Sequence, residues 1–448
     1  MIDKLGNILN GGSQRTRLVK KNILVSMLIK GWGSIVQFLL VPVTLGCLNQ
    51  YEYGIWLTIN SILVWIDSFD IGLGNGLRNN LAESLAKGDK NRGQQQVSTT
   101  FFMLIGLVIP VLAIVFMLIA SLNTYNLLNV SPQIVPNLNG ILMVSFGIVG
   151  ATFVFKFIGN IYLAMQLPAI NNLLVVSGQT LSFFGILLFS KIGHPSLFDI
   201  ALIYTLSPLL VYVISYPITF TKYYFIRPSL NAFSCKELHS LFSLGVNFFF
   251  IQIGALILFA TSNLIISDIY SPKEVTTYQI AFRYFGIANI IFTIISAPLW
   301  TATTDAYTEE DWTWINNITI KMKKILIIFA TCIILMLLIS KPIYYLWIRN
   351  KVEIPFSMSC VMAIYIFIAI FSTYYSNMIC GFGKIHLLTI ITLTQAIIYI
   401  PLAIWFSYQT GVIGVVIALL LVNLLSAVTN KIQFEKIKRG KATGIWNK

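Results

Sequence analysis

Long apolar runs recur along almost the whole chain, each close to bilayer length, with short polar segments between them. A helix needs about 20 apolar residues to cross ~30 Å of hydrocarbon. Windows of that length predict twelve spans. In the first half they lie near residues 23–44, 53–77, 97–121, 138–164, 172–190 and 199–220. In the second half they lie near 241–267, 276–302, 325–347, 355–380, 386–406 and 411–430. The expected architecture is an all-α integral membrane protein of about twelve transmembrane helices in two six-helix lobes, 23–220 and 241–430. A linker at 221–240 joins them, between a basic N-terminus (1–22) and a basic tail (431–448). Two polar connections also carry the pattern of surface-lying helices. Ser234 and Glu237 have the spacing of a capping box ahead of Leu238, Leu241 and Phe242, and Thr308 and Asp311 repeat it ahead of Trp312, Ile315 and Ile318. These connections are also candidates to couple the two halves.

Composition agrees with this pattern. With 57% hydrophobic residues, 10% charged and a mean hydropathy of +0.80, the chain has too little polar surface to solvate a globule of its 448 residues. The net charge of +14 raises the question of nucleic acid, but its distribution answers as topology. If the N-terminus is cytoplasmic, 22 Lys and Arg fall in cytoplasmic segments and five on the opposite side, as the positive-inside rule requires. Both termini and the 78–96, 221–240 and 303–324 loops are therefore expected in the cytoplasm, and no nucleic-acid partner is expected. The first 22 residues are polar and basic, and the first apolar run is longer than a signal-peptide core, so that run is read as a span.

The candidate chemistry is the set of charges inside these spans. An acid at mid-bilayer is unfavourable by about 2.5–3.5 kcal/mol on insertion scales, so Asp67 and Asp70 should face protein or water. On a helix, Asn60, Asp67 and Gly74 recur every seven residues and Asp70 lies one turn from Asp67, giving a single polar stripe. The two acids can pair structurally with Lys30 or Lys156, or respond to a coupling H+ or Na+. Lys30 lies ~10 Å into the first span, Lys156 deep in the fourth and Arg283 ~10 Å into the eighth. Lys30 and Lys156 can also snorkel to the headgroups. Arg283 is harder to account for that way, because Tyr278, Gln279 and Tyr284 around it give its helix a polar face. No resident cofactor is expected. Three scattered His and five scattered Cys without a CxxC pair give no metal or catalytic cluster, and apolar packing is the expected role of each Cys. Gly72, Gly74 and Gly76 follow no strand and precede no Walker Lys, so the chain has no phosphate loop. The longest expected external loop, 123–137, has no Asp, Glu, His, Lys or Arg, which disfavours a membrane enzyme of glycan assembly.

The run Pro42, Leu45-Gly46, Tyr53-Gly54-Ile55-Trp56, then Asp70 through Asn79 and Ala86-Lys87-Gly88-Asp89, resembles the N-terminal signature of bacterial polysaccharide flippases. These are the O-antigen and capsule type of lipid-linked oligosaccharide translocases, within the multidrug/oligosaccharidyl-lipid/polysaccharide exporter superfamily. The resemblance implies parallel lobes around a central cavity, alternating access and a substrate of oligosaccharide on undecaprenyl pyrophosphate. It implies no enzymatic activity, and it implies that the spans lie in the inner membrane of a bacterium. Pyrophosphate is costly to move through hydrocarbon unless paired, so Lys30, Lys156, Arg283 and Arg78, where the chain leaves the membrane, are its candidate partners. Trp32, Trp56, Trp65, Tyr278 and Tyr284 are candidate sugar-contacting aromatics, with packing as the plainer role of most. Membrane lipids, and the polymerase and glycosyltransferases of a glycan pathway, are the expected partners. A drug or metabolite antiporter of the same superfamily is the alternative, but its cavity should favour acids over these cations.

Overall fold

In the computed structural model the described residues are 14–68, 73–349 and 351–447, apart from some helical side chains among them; all regular structure in them is helical. The first half contains α1 (Gln14–Cys47), α2 (Gln50–Ser68), α3 (Leu73–Ala86), α4 (Lys90–Ser121), the short α5 (Thr124–Leu127), α6 (Leu138–Phe155), α7 (Phe157–Ala164), α8 (Pro168–Ile192) and α9 (Leu197–Lys222). The second contains α10 (Cys235–Ile269), α11 (Pro272–Thr308), α12 (Trp312–Leu338), α13 (Ser340–Ile348), α14 (Phe356–Gly381), α15 (His386–Thr410) and α16 (Ile413–Lys438).

Among the described residues nine segments are long and apolar enough to cross a membrane, and α12 with α13, bent by 65°, makes a tenth if the pair is one span. Of the twelve expected spans, 53–77 includes residues 69–72, which lie outside the described set, and 241–267 runs over side chains outside it. Ile327, Leu335 and Leu338 of α12 leave their apolar side chains more than half exposed, as a face turned to lipid should. Cys235 and Cys332 are likewise exposed, while Cys47, Cys360 and Cys380 are partly buried.

Neither connection forms a separate surface helix. The 235–242 stretch is the start of the 35-residue α10, and Trp312 begins the 27-residue α12, because no helix breaker follows either start. Both capping boxes also change. Asp311 is itself the N-cap of α12 and accepts from the Trp314 N–H at 2.8 Å, while the Thr308 hydroxyl bonds back to the Thr304 carbonyl. At α10 the partners come from α4: the Ser234 N–H donates to Thr99 Oγ1 at 3.0 Å, and the Glu237 carboxylate is engaged elsewhere.

The helices form two compact units, one made of the chain up to Leu48 with Ile62–Phe249, the other of Asn49–Ser61 with the chain from Phe250 onward. In the first unit α8 packs on α1 and α9, α9 on α6, and α4 on α3 and α6. Leu73, Leu77 and Leu81 of α3 bury the i, i+4, i+8 face that its sequence provides, against Val97 and Leu104 of α4 and Ile158 and Ile161 of α7. In the second unit α14 packs against α11 and α16, and α15 against α16.

The start of α2 is fixed within the second unit. Asn49 and Glu52 cap it reciprocally, with the Glu52 N–H donating to Asn49 Oδ1 at 2.9 Å and the Asn49 N–H to Glu52 Oε2 at 3.1 Å. Thr276 of α11 donates to the Gln50 carbonyl at 2.7 Å, and the Gln50 amide donates to the Lys273 carbonyl at 3.2 Å. Gly54 then passes so close to α11 that a Cβ there would stand 1.7 Å from the Pro272 carbonyl oxygen. Only glycine admits that approach.

Candidate functional site in the second unit

A polar seam runs through the second unit between α2, α10, α11 and α15. Asn263 of α10 donates to the Leu57 carbonyl of α2 at 3.2 Å and accepts from the Gln279 amide of α11 at 2.8 Å. One residue earlier, Ser262 pairs with the Tyr399 hydroxyl of α15 at 2.6 Å and also meets Tyr278. Tyr278 and Tyr399 are buried, as is Tyr365 of α14, which stacks with Phe282 at 6.4 Å. Apolar helices do not need such a set for packing, since each buried polar group must be matched to avoid a cost of about 1–3 kcal/mol.

Arg283 lies one turn after Gln279 on the same face of α11 and is half-buried. Its guanidinium acts electrostatically on the hydroxyl of Tyr53 of α2. Tyr53 is 1% exposed, and its hydroxyl has no hydrogen-bond partner among the described residues. A permanent cation therefore acts within electrostatic range of an O–H donor that has no hydrogen-bond partner among the described residues. Together they present the chemistry that holds a phosphate or carboxylate oxygen.

The other candidate residues lie elsewhere. Tyr284 turns away from this seam: its hydroxyl donates to the Met336 carbonyl of α12 at 2.9 Å and its ring packs edge-on to Tyr344. Trp56 is buried in the second unit at 2% exposure, a packing position. In the first unit Lys30, Ser34 and Gln37 share one stripe of α1, with Lys30 exposed. A separate stripe of Leu28, Trp32, Ile35 and Leu39 is exposed and apolar except for the Trp32 N–H, which donates to Thr180 Oγ1 at 3.2 Å. Lys156 is half-buried at the junction of α6 and α7, and Arg78 is exposed on α3. Trp65 lines an apolar groove of about 400 Å³ with Val115, Leu118 and Phe146, where Thr124 is the one polar side chain. Such a wall offers a sugar almost no hydrogen bonds. The Asp67 side chain and Asp70 lie outside the described residues. Among the described residues no group of His, Cys, Asp and Glu has the arrangement of a metal site.

The sequence pattern did not single out Asn263, Ser262 or Tyr399 as site residues, because a lone polar residue in an apolar run carries no partner with it. Tyr53 was visible only as part of a motif. The same holds for a second polar set, in the first unit. Glu237 accepts from Arg92 Nε and Gln96 Nε2, each at 3.0 Å, while Gln96 Oε1 accepts from Ser84 at 3.0 Å. Glu237 and Gln96 are buried, and Ser98 accepts from the Ser229 N–H at 3.1 Å, so the 221–240 linker is tied to α4 at several points.

Residues 19–300, well over half of the chain, match the family model described as polysaccharide biosynthesis protein. The chain belongs to that family. It is 22% identical over 394 residues to a putative O-antigen transporter of Salmonella typhi, covering 86% of this chain and 88% of that protein. It is 21% identical over 414 residues to a putative O-antigen export protein of Yersinia pseudotuberculosis, covering 87% and 90% respectively. Among solved structures it resembles the inward-facing conformation of a multidrug resistance MATE family transporter of the MOP superfamily. That match has a TM-score of 0.77 at 15% identity and covers 94% of this chain and 98% of the other. The fold is therefore that of the multi-pass MATE-like transporters, as the all-helical, multi-span pattern led one to expect, although residues 49–61, expected in the first lobe, belong to the second unit.

Proposed function

We propose that this protein is a flippase, not an enzyme, that moves an oligosaccharide carried on undecaprenyl pyrophosphate from the cytoplasmic to the periplasmic leaflet of the bacterial inner membrane by alternating access. The observation that carries this reading is a half-buried cation, Arg283, within electrostatic range of the buried Tyr53 hydroxyl, which has no hydrogen-bond partner among the described residues. Family membership supplies the glycan class, and the O-antigen names of the relatives point to the same substrate. The pyrophosphate is the part of such a substrate that hydrocarbon excludes, and the polyprenyl chain can stay in lipid. A guanidinium offers two parallel hydrogen bonds to it and the Tyr53 hydroxyl a third. Lys30, on the polar stripe of α1, together with Lys156 and Arg78, supplies further positive charge along the route. Asp67 and Asp70 are the candidate sites for H+ or Na+ coupling. A multidrug antiporter of the same fold would instead place acids where this chain has Arg283.

The test measures flipped lipid-linked oligosaccharide in vesicles, normalised to folded protein. Arg283→Ala should lose export by at least ~100-fold, the scale of about 3 kcal/mol for a buried charge left without its partner, while the protein still inserts. Arg283→Lys should recover only part of it, because an ammonium cannot make the forked contact. Flipping near the wild-type rate by Arg283→Ala would remove the residue from the substrate path.

A further inference from the structure

Far along the chain from the Arg283 seam, α14 and α16 leave a groove of about 660 Å³ between them near the C-terminal end of α16. Its walls are apolar, with Phe367 and Phe371 from α14 and Leu424, Val428 and Ile432 from α16. Leu424, Val428 and Ile432 are between 40% and 48% exposed, following the i, i+4, i+8 face of α16, so this stripe is not closed over by the described residues. The end of the groove is cationic. Lys431, Lys436, Arg439 and Lys441 line it with a single acid, Glu435, leaving an excess of three positive charges.

Two of these cations lie over aromatic rings. The Lys431 ammonium lies 6.0 Å from the centre of the Phe371 ring and that of Lys436 3.9 Å from the Trp446 ring, within reach of cation–π attraction. The tail bearing Trp446 is itself pinned, since the Gln433 amide donates to the Trp446 carbonyl at 3.2 Å and to the Lys384 carbonyl at 3.0 Å. The Lys441 N–H returns to the Lys436 carbonyl at 2.9 Å. The Arg439–Glu435 pair is long, 3.7 Å, with the Arg side chain 69% exposed, so most guanidinium donors remain available.

An apolar trough that ends in a cation cluster has the shape of an amphiphile: chain along the trough, phosphate at the cations. From Leu424 to Lys431 the wall extends ~10 Å at 1.5 Å per residue, enough for the upper half of an acyl chain. We infer that this groove binds one anionic phospholipid of the leaflet at the basic end of α16, with its phosphate held by Lys431, Lys436, Arg439 and Lys441. The inference needs only that the helices span a membrane. It does not depend on what the Arg283 seam carries.

The test is native mass spectrometry of the purified full-length protein with phosphatidylglycerol, phosphatidylcholine or undecaprenyl phosphate added to the detergent. Phosphatidylglycerol should be retained as a single bound molecule and phosphatidylcholine should not. Neutralising Lys431, Lys436 and Arg439 to Gln should weaken retention by about fivefold for each cation removed. Val428→Trp, which fills the trough and leaves every cation in place, should also release the lipid, while an unchanged melting temperature shows the fold is intact. Equal retention of the two phospholipids, or undiminished retention by either variant, would overturn the inference. Preferential retention of undecaprenyl phosphate over phosphatidylglycerol would overturn it too, by assigning the groove to the polyprenyl carrier.

Discussion

Gly54 of α2 lies against the Pro272 carbonyl of α11 with no room for a methyl group between them, a Cβ falling 1.7 Å from the oxygen. The obstruction is backbone at the start of a helix, so it cannot swing aside as a flexible side chain would. Gly54→Ala should therefore force α2 off α11 and cost about 1–3 kcal/mol or more. Thermal unfolding in detergent checks this, and an unchanged midpoint would show that the two helices separate easily.

The position just before Gly54 gives an opposite signature. Tyr53→Phe removes a buried hydroxyl that has no partner among the described residues, so stability should hold or rise, by up to about 1–3 kcal/mol. If that hydroxyl is a ligand donor beside Arg283, export per folded molecule should nevertheless fall, by roughly tenfold for one hydrogen bond to a charged group. Unchanged export would assign the hydroxyl to packing alone.

Gln96 bridges Ser84 and Glu237, so its loss affects a buried carboxylate as well as itself. Gln96→Ala should destabilise the first unit by about 1–3 kcal/mol and expose the 221–240 linker to limited proteolysis. Arg92→Ala should act in the same direction, since it removes the cation opposite Glu237. A linker as resistant as wild type in both variants would mean that the other ties, at Ser98 and Thr99, suffice.

Loop charges predict that Lys90 and the α16 end at Lys438 lie on the cytoplasmic face. Single cysteines at 90 and 438, introduced after removal of the five native ones, should be labelled by an impermeant thiol reagent only once the cells are opened. Labelling of either in intact spheroplasts would invert the topology, and with it the leaflet assigned to the phospholipid groove.

Most span positions were legible from the sequence alone, because a bilayer imposes one length and one hydropathy on every crossing segment. Val25–Cys47, Leu138–Ala164, Phe356–Gly381 and His386–Thr410 begin or end within a few residues of where apolar runs placed them. The family was legible as well, in a run whose glycine at 54 admits a backbone approach that no other residue could. Arg283 also stood out, because a cation within an apolar span is costly to keep unless it faces protein, water or a ligand.

Tertiary structure decided what those residues meet. The hydrogen bonds of Asn263 with Gln279, Ser262 with Tyr399 and Asn263 with Leu57 join residues 16 to 206 positions apart, a separation that hydrophobic period does not encode. The membership of Asn49–Ser61 in the second unit was likewise out of reach of a hydropathy count, which sees a span and not its neighbours. The capping box at 234 failed for the same reason, whereas at 308 the preceding helix runs on to Thr308 and Asp311 becomes the cap itself. A Ser-x-x-Glu spacing offers local hydrogen bonds, and at Glu237 the folded chain supplied a better partner in Arg92, 145 residues away, whose charge a local backbone N–H cannot match.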